Sequence, residues 1–156
     1  MKHLVFNLLM FTGMVGAAQT DFQNKTFTYE AQSGYGAKRK IVLKLSATEE
    51  ELLNSKDYQE HLAEFYADVD TDTLSKPRSI DLMLRHRTGM GLIEGKYKLK
   101  NPSSLDFPED VQGTIFVSDK DQRMTIYIPI KAQNGYGAYL FGSLYINKTA
   151  TFISMN

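Results

Sequence analysis

The sequence predicts a mainly β protein of the α+β class: an antiparallel meander of seven or eight strands, with one bent helix or two short helices inserted after the second strand. Three observations carry this reading. Apolar and polar residues alternate over most of the chain, the period of half-buried strands. One stretch, between Thr48 and Val69, switches to helical spacing. The segments after Pro77 are joined by short, local turns, which suits antiparallel neighbours better than parallel crossovers. The sequence leaves open whether the sheet closes into a small barrel or stays a curved sheet with the helix packed on it.

The amino terminus has its own pattern. Lys2 and His3 make a short polar, positive start, Leu4 to Val15 is largely apolar, and Gly16-Ala17-Ala18 supplies the small residues a signal peptidase accepts. A membrane-spanning helix needs about 20 apolar residues, and this run is shorter. The expectation is a signal peptide over residues 1–18, a single β-rich domain over residues 19–156, and export to a periplasm or beyond the cell. No later segment is apolar enough to be a transmembrane segment.

Composition narrows the chemistry. The chain has no cysteine, so it has no disulfide, no thiolate nucleophile and no zinc–thiolate site. Its 18 basic and 18 acidic residues cancel, and without Lys2 the balance is 17 to 18. No overall field points to nucleic acid.

In the expected domain, Thr26 to Ala31 reads as a strand, Ser33-Gly34 as a turn, and Lys38 to Ser46 as a half-buried strand with Ile41, Leu43 and Leu45 on one face. Thr48-Glu49-Glu50-Glu51 is a capping box, and Tyr58, Leu62, Phe65, Tyr66 and Val69 form one helical stripe. Ser55 is placed as a second N-cap. After the polar linker Asp70 to Pro77, two strands are expected: Ile80 to Arg87 and Ile93 to Lys100, joined by a turn at Gly89-Met90-Gly91. Asn101 to Gln112 reads as a loop, Thr114 to Ser118 as a short strand, and Met124 to Ile130 as the next, with Pro129 marking an edge or bulge. Asn134-Gly135 signals a hairpin into Ala138 to Ile146, and a last strand follows near Thr151 to Ser154.

Three features are candidates for function. The heptapeptide Ala31-Gln32-Ser33-Gly34-Tyr35-Gly36-Ala37 recurs as Ala132-Gln133-Asn134-Gly135-Tyr136-Gly137-Ala138, changing only serine to asparagine. Two like turns would present Tyr35 and Tyr136 at one rim. The second feature is charge segregation. Nine acidic residues against one lysine lie between Ala47 and Asp72, and seven basic against two acidic lie between Lys76 and Lys100. If the two expected strands pair, Arg85, Arg87, Lys96 and Lys98 form a basic sheet face. The third is the strand Ala138 to Ile146, apolar on both faces. Tyr139, Phe141 and Tyr145, joined by Phe116 and Tyr127, either belong to a core covered by the helix or line a site for an apolar ligand.

Catalytic signals are thin. His61 sits on the helix and His86 on an expected strand, far apart, so no catalytic residue, metal site or cofactor is assigned. Asp68-Val69-Asp70-Thr71-Asp72 opens like a calcium loop but lacks the required glycine and glutamate, at Thr73 and Ser79. The sequence therefore points to an exported binding module without catalytic activity, contacting another protein or an anionic envelope component, with carriage of an apolar small molecule in a small barrel as the alternative.

Overall fold

Seven strands form one sheet whose spatial order follows the chain: β1 (Ala18–Asp21), β2 (Thr26–Gln32), β3 (Lys38–Leu45), β4 (Gln112–Val117), β5 (Met124–Gln133), β6 (Tyr139–Ile146) and β7 (Thr151–Met155). The computed structural model describes residues 18–68, 70, 76–109, 112–148 and 151–156. The expected signal peptide lies outside the described residues except for Ala18, which opens β1. Every neighbouring pair is antiparallel except β3 and β4, which run parallel from Val42↔Gln112 to Leu45↔Ile115. The sheet is therefore mixed. It is also open, with β1 and β7 as unpaired edges, and this removes the barrel.

The connection between the parallel strands holds the helices, α1 (Glu49–Asn54), α2 (Lys56–Phe65) and α3 (Lys76–Lys98). They follow the third strand, because Ala18–Asp21, ahead of the first expected strand, forms β1. The expected caps are in place. Thr48 Oγ1 accepts from the Glu51 N–H at 3.1 Å while Glu51 Oε2 accepts from the Thr48 N–H at 2.7 Å. Ser55 Oγ accepts from the Tyr58 N–H at 3.2 Å and starts α2.

Helix α3 replaces the two strands and the glycine turn expected over residues 80–100. Its buried residues include Ser79, Ile80, Met83, Leu84, Thr88, Gly89, Gly91, Leu92 and Gly95, most of them at helical three- and four-residue spacing. Thr88, Gly91 and Gly95 are not hydrophobic. The helical stripe is thus half invisible to hydropathy, and the remaining apolar residues alternate by accident. The glycines let the helix backbone approach β6, with Gly91 over Ile146 and Gly95 over Leu144. Helix α3 also straps one edge of the sheet to the other. Near its start Asp81 Oδ1 accepts from the Thr20 N–H of β1 at 2.6 Å, and at its end Lys98 donates to the Thr151 carbonyl of β7.

The helices cover one sheet face only. There Phe27, Ile41, Leu43, Ile115, Ile126, Ile128, Ile130 and Leu144 meet Leu52, Ile80, Met83 and Leu84, all fully buried. Each such side chain contributes about 1.5–3 kcal/mol relative to exposure, so this layer supplies the stability that a cysteine-free domain cannot take from disulfides.

Pro129 sits inside β5, yet at a locally free position. The β4 ladder reaches only Thr114↔Tyr127, and the next bridge on that side is Asp106↔Lys131, where Lys131 N–H donates to the Asp106 carbonyl. Alternation directs the missing N–H of Pro129 to the gap between them.

Candidate binding surface

Strand alternation sends the odd residues of β5 and β6 to the face opposite the helices, and register lines up their rings. Tyr127 pairs with Tyr145, and Tyr145 with Phe152. The Tyr127 and Tyr145 rings lie 5.2 Å apart, and Tyr145 and Phe152 stack at 4.9 Å with 16° between their planes. Ser143 Oγ donates to the Tyr127 hydroxyl at 3.2 Å. Around this ladder the remaining rings are open to solvent: Phe141 at 62%, Phe152 at 48%, Tyr139 at 45% and Phe116 at 39% exposure. The expectation that a helix covers this side is corrected. The helices pack on the other face, so Phe116, Tyr127, Tyr139, Phe141 and Tyr145 line an outer surface and not a barrel cavity.

The same face is basic on β3. Lys38, Lys40 and Lys44 all point outward and are exposed; Glu30 on β2 lies 3.6 Å from Lys38, and Glu109 lines a pocket with Lys38 and Lys40. Lys131 on β5 stands 5.6 Å above the Tyr139 ring. A basic sheet surface thus exists, on a different strand from the expected one.

The heptapeptide repeat builds two matching turns at one rim. In each, the first turn residue donates its N–H to the fifth residue's carbonyl (Ser33 to Ala37 at 2.8 Å, Asn134 to Ala138 at 2.9 Å), and the glycine before that fifth residue has positive φ (Gly36 85°, Gly137 83°). Ser33 Oγ and Asn134 Oδ1 each accept from the closing N–H at 3.1 Å, which explains why serine and asparagine are the one difference. Tyr136 is 97% exposed, while the Tyr35 hydroxyl donates to Gln133 Oε1 at 3.1 Å, the last residue before the second turn. Local desolvation, and then a hydrogen bond with Tyr35, push the Tyr139 phenol above its ordinary value. Tyr35, Gln133 and Tyr139 join the rim to the aromatic face.

The remaining partner residues are not brought together. On a helix, residues two apart diverge by about 200°, so Arg85 and Arg87 face different ways, as do Lys96 and Lys98. Arg87 is half-buried beside Asp57, with Nη2 3.9 Å from Oδ1, and Lys98 is bound to the Thr151 carbonyl. The basic sheet face expected from these four residues does not form, because the segment is a helix.

The two histidines, expected far apart, meet at the α2–α3 interface with ring centroids 6.2 Å apart and Phe65 against both, at 4.8 and 4.9 Å. Burial, then His86, then Arg87 push the His61 imidazole down to about 3. Burial, then Arg87, also lower His86. Nearby, Asp57 is fully buried and its Oδ2 accepts from the Met124 N–H at 2.8 Å, tying α2 to the start of β5. Among the described residues no group of three or more histidine or carboxylate side chains is placed to hold a metal ion, and no described helix is long and apolar enough to cross a membrane.

Sequence reasoning missed Phe152 and the β3 lysines. Phe152 was findable: it is the aromatic residue of the last expected strand, and it extends the Tyr127–Tyr145 row once register is known. Comparison with known proteins finds no match among protein families, curated proteins or solved structures.

Proposed function

We propose that this protein is an exported binding module, acting by contact and not by catalysis, and that its contact surface is the helix-free face of the sheet. One observation carries the reading: a contiguous set of aromatic rings is left uncovered on a face that the protein's own helices do not use. Soluble monomers rarely expose large apolar patches without a partner for them. Tyrosine and phenylalanine are also enriched where proteins meet. The β3 lysines beside the rings favour a protein partner whose own surface is acidic, with Tyr35 and Tyr136 as rim contacts.

The test is crosslinking in the exported fraction of the native host, comparing the wild-type chain with a Phe116→Ser, Phe141→Ser double variant. Both side chains are exposed, so the variant keeps its thermal midpoint. The expected result is loss of one defined crosslinked partner. Capture of the same partner at an unchanged level would remove the aromatic face from the interaction. Loss of the partner on Lys40→Glu, Lys44→Glu substitution, together with weaker capture by the wild type in added salt, supports the acidic partner surface.

A further inference from the structure

A concavity borders the aromatic face, where the carboxyl end of α3 runs out over β5, β6 and β7, and Phe152 and the Gln133-Asn134-Gly135 turn form part of its wall. It encloses about 510 Å³ and is lined by Leu99, Leu140, Ile153 and Met155, with Lys98 and Lys100 beside it. The volume falls within the range of small-molecule sites, roughly 300–1,000 Å³. Its apolar residues are only partly buried by the protein itself: Leu99, Leu140 and Ile153 are half-buried, and Met155 is exposed. Methionine adds an adaptable wall.

The electrostatics are one-sided. No aspartate or glutamate lines the cleft. Lys98 spends a hydrogen bond on the Thr151 carbonyl, a neutral group, so its charge is not cancelled there. Lys100 is exposed, just past the helix end. An apolar trough lined by two cations and no anion matches a molecule with an apolar tail and a negative head.

We propose that this cleft binds a single-chain anionic amphiphile, with the acyl tail against Leu99, Leu140, Ile153 and Met155 and the head group held by Lys98 and Lys100. This goes beyond the contact surface above: the cleft shares Phe152 with it, but Phe116 and Phe141 do not line the cleft, so either reading can fail without the other. The tail contribution scales with length. Burying each methylene contributes about 0.8 kcal/mol, so two more carbons tighten binding about tenfold. The head contributes discrimination by sign.

Calorimetric titration of the full-length mature chain with decanoate, dodecanoate and dodecyltrimethylammonium, all below their micellar concentrations, tests it. The expected result is saturable one-to-one binding, with dodecanoate about tenfold tighter than decanoate and at least tenfold tighter than the cation. Leu140→Glu should abolish dodecanoate binding. Lys100→Glu, an exposed change that leaves the fold intact, should weaken dodecanoate and strengthen the cation. The Phe116→Ser, Phe141→Ser variant should bind dodecanoate normally. Non-saturable uptake, equal affinity for both head-group charges, or loss of binding on the outer-face variant instead would overturn the proposal.

Discussion

Gly91 rests directly on Ile146. A methyl group built on Gly91 would stand 2.4 Å from Ile146 Cγ2 and 2.5 Å from its Cγ1 and Cδ1. Gly95, one turn on, is less constrained: its methyl would meet Leu144 Cδ1 at 2.6 Å, with the next atom at 3.3 Å. Glycine to alanine in a helix gains about 1 kcal/mol, and overpacking costs about 1–3 kcal/mol. Ile146 is β-branched and stiff, whereas a leucine tip can rotate away. Gly91→Ala should therefore destabilise the fold by about 1–2 kcal/mol, and Gly95→Ala should fall within about 0.5 kcal/mol of wild type. Urea denaturation reads both. Equal losses would mean that β6 cannot repack at either position.

Asp57 is the only fully buried carboxylate among the described residues, and it serves two partners, the Met124 N–H and Arg87. Removing it strands a half-buried guanidinium and a buried amide. Asp57→Ala should cost about 3–5 kcal/mol, as breaking one side of a buried pair does. Asp57→Asn retains an acceptor for Met124 and should cost less. Equal losses for asparagine and alanine would show that the carboxylate's charge outweighs its hydrogen bond to β5.

Acid should destabilise the protein over two overlapping windows, the upper one set by His61 and the lower one joined by Glu60. His61 titrates at about 3 in the fold against 6.5 ordinarily, so the unfolded chain binds its proton more readily. Its contribution is complete above pH 6.5 and is lost as pH falls from there towards 3. Glu60 is bound by both Arg123 nitrogens, at 2.7 and 2.8 Å, and by Lys148 at 2.6 Å. First the Arg123 and then the Lys148 hydrogen bonds hold it at about 2 against 4.5. Its folded value is also depressed, so its contribution is complete above pH 4.5 and is lost as pH falls towards 2. About a third of the Glu60 side chain is exposed, which screens the effect to about 1 kcal/mol. His61→Gln should flatten the stability profile between pH 6.5 and 4.5 and make it shallower from there to about 3, while Glu60→Gln should leave the range above pH 4.5 and act only below it. Thermal midpoints across pH separate the two. A wild-type slope retained by His61→Gln would transfer the upper window to His86.

What the sequence made legible follows from what its periodicity encodes. Strands β2, β3, β5 and β6 were readable because one face of each is regularly apolar, and the caps at Thr48 and Ser55 because their chemistry is local. Helix α3 was not, because its packing stripe uses Thr88, Gly91 and Gly95, residues chosen for their small size and not their hydrophobicity. The parallel joint of β3 to β4 has no local signature, since register between distant segments is set by the core they share. The candidate surface was partly legible. The aromatic residues were named, but which face the helices cover is a tertiary fact, and the answer moved those rings from a presumed interior to the outside.

The parallel joint also gives assembly a direction. Strands β1 to β3 pair through short turns, and so do β4 to β7, so each group forms from near neighbours in the chain. Joining Leu45 to Ile115 requires closing the whole helical segment between them, and such non-local pairing is the slow part of folding. A chain appearing amino-terminus first would hold Phe27, Ile41 and Leu43 without a cover until α1 and α3 arrive. The hazard then belongs to time and not to the finished structure: the interval before that joint closes is when the chain is most open to aggregation, and substitutions that slow α3 docking would reduce yield even where they leave final stability unchanged.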